Sequence, residues 1–68
     1  MKEAREAIKP VAEFLAYKIR AGEISVEGGD VLWKIILKNP DSAQRFIDIL
    51  EMDLPEAETI KRFQLLAG

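Results

Sequence analysis

The chain contains no cysteine and no histidine. Without cysteine no disulfide can staple a small fold, and without either residue a structural zinc site lacks its usual ligands. Side-chain nucleophiles rely on a neighbouring base, most often histidine, so that route to catalysis is missing too. Uncharged polar residues are nearly as scarce: Ser25, Ser42, Thr59, Asn39, Gln44 and Gln64 are the full set. No run of 18 apolar residues occurs, which leaves no transmembrane helix and no membrane partner to expect. The start, Met1 to Glu6, carries charges of both signs and lacks the apolar core of a signal peptide, so the expected location is intracellular, in the cytoplasm.

What is present is hydrophobic and charged in nearly equal prominence. Of 68 residues, 49% are hydrophobic and 32% charged, with a net charge of −2. The length allows one domain, spanning residues 1–68. Such a domain buries only about 60% of the surface its unfolded chain exposes, so its margin of stability is thin. Eight Ile, seven Leu and three Val exceed what so small an interior needs, and part of this apolar surface is expected at an interface. Abundant charge with few amides is a composition common in thermophilic proteins. The slightly negative balance gives no global attraction to nucleic acid.

Three breaks, at Gly22 to Gly29, Asn39-Pro40-Asp41 and Asp53-Leu54-Pro55, leave four segments of helical length. In the first, from Lys2 to Ala21, the residues Ala4, Ile8, Val11, Leu15 and Ile19 recur on one helical face. Glu6, Lys9, Glu13 and Arg20 gather on the opposite side. Pro10 lies within the pattern and predicts a kink near Lys9 or a helix start at Pro10. Gly22 is placed to stop the helix.

The second segment has two readings. Gly28-Gly29 between Ile24–Glu27 and Asp30–Trp33 is a hairpin signal. A helix starting between Val26 and Val31, capped by Ser25 or Asp30, is the better fit. Val31 to Leu37 does not alternate, and an isolated strand pair is marginal. In the third segment Asn39 can cap, Pro40 suits the first helical position, and Ala43, Phe46, Ile47 and Leu50 form one stripe. Leu50 and Ile47 are expected in the core, where Leu50→Ala would cost about 2–5 kcal/mol. The fourth segment starts at Pro55, with Glu56 and Glu58 in its first turn, and carries the stripe Ala57, Ile60, Phe63 and Ala67, with Leu66 beside it. The expected fold is all-α, a compact orthogonal or irregular bundle of four short helices without a sheet.

No catalytic constellation emerges. Ser25 and Ser42 sit where helix caps belong. Eight Glu and four Asp mostly occupy polar faces or first helical turns. Gly28-Gly29 lacks the flanking pattern of a Walker or dinucleotide loop, and Glu27 and Asp30 would repel a phosphate, which leaves a flexible turn or frayed helix start. The four Asp lack the spacing of a calcium loop. Neither cofactor, metal nor small-molecule substrate is expected.

The informative segment is Val31 to Lys38, where only Lys34 and Lys38 are polar. Its apolar arc covers over half of the helix circumference. The helix is either central to the fold or covered on one flank by another chain, with Trp33 and Leu37 as anchors. Phe14 and Tyr17 form a second candidate patch, unless Phe63 of the last helix covers it. These readings lead to a non-enzymatic protein-interaction module, a homodimer or an accessory subunit of a larger assembly, one that processes nucleic acid among the options. The alternative is a small helix-turn-helix-like DNA-binding regulator, with Asn39-Pro40-Asp41 as the turn and Lys34, Lys38 and Arg45 as a basic spot. The third helix reads a groove poorly, because Asp41, Asp48 and Glu51 outnumber its one Arg.

Overall fold

The first segment forms α1, Lys2–Arg20, a helix of 19 residues. At 1.5 Å per residue it is about 28 Å long, nearly the full 31 Å long axis of the molecule. The structure is a computed structural model that describes the backbone of residues 2–67 and the side chains of residues 7–67. The places expected for the Ala4 and Glu6 side chains lie outside the described residues. Helix α1 runs through Pro10 rather than starting there. Val11 and Leu15 are buried, and Ile8 and Ile19 pack half-buried beside them.

Gly22 ends α1 as expected. It takes φ +78°, where a side chain would be strained. The Gly22 N–H donates to the Ile19 carbonyl and the Glu23 N–H to the Lys18 carbonyl, each at 3.0 Å. This pair of bonds is the Schellman closure, which satisfies two carbonyls that the helix end leaves unpaired.

The second segment is helical, as α2, Val26–Lys38. Ser25 is its N-cap: Ser25 Oγ accepts from the Gly28 N–H at 3.0 Å. Gly28 and Gly29 therefore lie inside the first turn of a helix, and both are buried. Expecting a flexible turn or frayed start there was wrong. The pair is small because two neighbours press on it. A Cβ on Gly28 would collide with the Glu56 carboxylate, and one on Gly29 with the end of the Ile19 side chain.

Asn39 does not cap the following helix. Its backbone N–H donates to the Ile36 carbonyl, and its side-chain amide donates to the Ile35 carbonyl at 2.9 Å. Both bonds close the end of α2. A single 3₁₀ turn, Pro40–Ser42, follows and leads into α3, Ala43–Glu51. Ser42 makes no side-chain capping bond either. The 3₁₀ turn feeds directly into α3, and the Ala43 N–H is taken by the Pro40 carbonyl. Ala43, Phe46 and Leu50 are buried, and Ile47 packs half-buried against them.

The last helix, α4, is Glu56–Ala67. Its buried side chains are Thr59 and Phe63, with Ile60 and Leu66 partly buried. Ala57 and Ala67, expected in the stripe, are exposed. The rotation has two causes. Phe63 stacks on Phe46 with ring centroids 4.5 Å apart. Thr59 can be buried because its hydroxyl lies 3.3 and 3.2 Å from the Leu54 and Pro55 carbonyls and bonds back to them.

The result is a compact all-α domain of four helices, with no strand among the described residues. Helix α1 packs across α2 and α3, and α4 closes against α2 and α3. Phe46, Phe63, Leu32, Ile36, Leu50 and Val11 fill the centre. Ile24, in the connection between α1 and α2, is buried with them. Among the described residues no helix is long and apolar enough to cross a membrane.

Candidate interaction surface

Two polar tethers hold the helix ends together. The first joins α2 to α4. Glu56 accepts from the Ser25 N–H at 2.6 Å and from the Ser25 hydroxyl at 2.8 Å. Ser25 Oγ thus accepts from Gly28 and donates to Glu56, linking the starts of two helices. These two donors hold the Glu56 carboxyl below its ordinary value of 4.5, because both stabilise the charged form.

The second tether joins the ends of α1 and α3. Lys18 is only 4% exposed. Its ammonium pairs with Asp53 and, at 3.0 Å, with Glu23. It also stands 5.6 Å above the centre of the Phe14 ring. Asp53 follows α3 in a left-handed conformation, φ 53°, which a short polar residue tolerates better than most. Asp53 above all, with Glu23 adding, holds the Lys18 ammonium above its ordinary 10.5 against the downward pull of burial.

The two flanks of α2 differ. Gly28, Gly29, Leu32 and Ile36 face the interior. Val26, Trp33 and Leu37 follow one another along the outer flank. Val26 is 72% exposed and Leu37 50%, while Trp33 is partly buried. Between this flank and α1 runs an open groove of about 350 Å³. Its α1 wall is Ala12, Ala16 and Ile19, its α2 wall is Val26, Gly29 and Trp33, and Leu15 lies beneath. The groove exists because Ala12 and Ala16 are too small to fill the space beside Trp33. Asp30 is the one charged residue lining it.

The structure brings Trp33 and Leu37 onto one flank, one helical turn apart. It separates Phe14 and Tyr17 from them. At 100° per residue, those two lie about 200° and 140° around α1 from Ala12, away from the groove. Tyr17 is 57% exposed, whereas Phe14 is half-buried under the Lys18 ammonium. Phe63, the alternative cover for that patch, is instead stacked on Phe46 in the core.

The basic residues do not gather apart from acids. Lys34 pairs with Asp30 at 3.1 Å. Lys38 is exposed at the end of α2, and Arg45 is exposed on α3, whose Asp48 accepts from Gln44 at 3.2 Å. Sequence reasoning missed Val26 as part of the outer flank, because the Gly-Gly pair made its helical start ambiguous. It missed Ala12 and Ala16 because small apolar residues on a helix carry no sign of what lies opposite. Comparison with protein families, with curated proteins and with solved structures finds no match to this chain.

Proposed function

We propose that the chain is a non-enzymatic protein-interaction module that binds another protein surface through the outer flank of α2 and the groove beside it. The observation that carries this reading is the line Val26, Trp33 and Leu37, large apolar side chains left partly or mostly in water on a helix whose other face is buried. Fully burying one such side chain is worth about 1.5–3 kcal/mol, so a partner covering three of them gains substantially. Trp33 supplies the broad anchor typical of binding hot spots, and the charged residues along α2 supply the polar rim that sets orientation.

The test is Leu37→Glu, compared with the unaltered chain in solution mass, thermal midpoint and protein retained from a native extract. The charge is expected to abolish association while the midpoint stays, since Leu37 is half in water already. A collapsed midpoint would place Leu37 in the core, and unchanged association with an unchanged midpoint would remove this flank from binding.

A further inference from the structure

The outer flank of α2 carries a charge order that speaks to its partner. Along one rim of the line Val26, Trp33 and Leu37 stand Glu27, Asp30, Lys34 and Lys38, all exposed. The first two are acidic and the last two basic. Counting from a point between Leu32 and Trp33, Glu27 and Lys38 are equally distant, and Asp30 and Lys34 are so to within one residue. The rim is therefore its own complement when reversed.

Resting on the reading just given, we propose that the partner is a second copy of this chain, with the two α2 helices packed antiparallel about a two-fold axis near Trp33. An antiparallel two-fold pair sets the same rim of each helix side by side in opposite directions. Glu27 then faces Lys38 of the second copy, and Asp30 faces Lys34. Both contacts occur twice. Trp33 meets its own copy near the axis, and Leu37 lies toward Val26 of the other chain, so the apolar line is covered along its length. A parallel two-fold pair would instead set this rim against the opposite rim of the second copy, so these four charges would not meet one another.

The existing Lys34–Asp30 pair does not oppose this arrangement. Its side chains are 70% and 60% exposed, and an exposed pair four residues apart on one helix is weak enough to exchange partners. The net charge of −2 gives little repulsion between copies. A foreign partner would need charges complementary to α2 but would place no demand on α2 to complement itself. The observed order suits the dipole of α2 and at the same time lets α2 complement itself in an antiparallel pair.

The experiment uses the full chain. Sedimentation equilibrium should give a dimer for the unaltered protein. Two doubly substituted chains follow, Glu27→Lys with Asp30→Lys, and Lys34→Glu with Lys38→Glu. Each alone should associate more weakly by over about tenfold, and an equimolar mixture should restore a one-to-one dimer. These changes also oppose the α2 dipole, so orientation is tested separately with single cysteines in a chain that otherwise has none. Glu27→Cys mixed with Lys38→Cys should form an oxidised dimer joining the two different chains, and neither should do so alone. A monomeric unaltered chain, self-association of the charge-reversed chains at full strength, or cross-linking of Glu27→Cys to itself would overturn the proposal. A monomer that still loses a retained protein through Leu37→Glu would overturn self-pairing alone. An ineffective Leu37→Glu would overturn the underlying reading.

Discussion

Leu32 and Ile36 lie on one flank of α2 and are fully buried, whereas Val26 and Leu37 on the other are 72% and 50% exposed. The side chains are of one kind, and the helix is the same. What differs is the neighbour. On the inner flank, Gly28 and Gly29 let Glu56 and Ile19 press against the backbone, and the space closes. On the outer flank, Ala12 and Ala16 leave a groove beside Val26 and Trp33, and Leu37 lies beyond it, half in water. Apolar character sets which residues can be buried, and the size of the residues opposite sets which of them are.

The largest expected effect breaks the comparison outright if it is absent. Leu32→Ala should cost about 2–5 kcal/mol, by lost burial and the cavity left behind, and the same change at Leu37 should cost a small fraction of that in the monomer. Urea unfolding of both variants at low concentration measures the difference, and equal losses would mean that the flanks are not distinct.

A smaller effect is expected where the inner flank closes. Gly29→Val places a branched side chain against Ile19, and such overpacking costs about 1–3 kcal/mol. Alanine at the same position should cost less, because the obstructing atom is the movable end of Ile19. Loss of the same size for both would point to the backbone rather than to Ile19 as the obstacle.

The smallest effects sharpen the comparison through pH. The Glu56 carboxyl is held below 4.5, so its contribution is complete above that value and drains away as pH falls through its folded value. The Lys18 ammonium is held above 10.5, so its contribution is complete below that value and is lost as pH rises through its folded value. Thermal midpoints measured across pH should therefore fall less steeply in acid for Glu56→Gln and less steeply in alkali for Lys18→Met. A variant that follows the parent at both extremes would show that its tether does not hold the helices together.

The all-helical fold was legible from spacing alone, and the stripe of α3 most clearly, with Ala43, Phe46 and Leu50 buried as their period requires. The rotation of α4 was not, because the burial of Thr59 depends on carbonyls at Leu54 and Pro55 that precede the helix. Lys18 was unreadable for a similar reason: its partners lie 5 and 35 residues away, and periodicity assigns a lysine to water. Of the interaction surface, Trp33 and Leu37 stood out as apolar excess on a short helix. The groove could not be foreseen, since it depends on which α1 residues lie opposite α2.

The bond from Gly28 to Ser25, continued by Ser25 to Glu56, has a consequence for how the molecule opens. Amide protons in the first turn of a helix ordinarily exchange fast with water, and a pair of glycines there should fray more than most. Here the Gly28 proton is held by a hydroxyl that α4 itself holds. Opening of that turn should therefore be slowed for as long as Glu56 holds Ser25, which amide exchange at Gly28 with and without Glu56→Gln would measure. Two helix ends that are 31 residues apart in the chain are thus linked through one hydroxyl, and a glycine pair at a helix start shares its protection with the start of another helix.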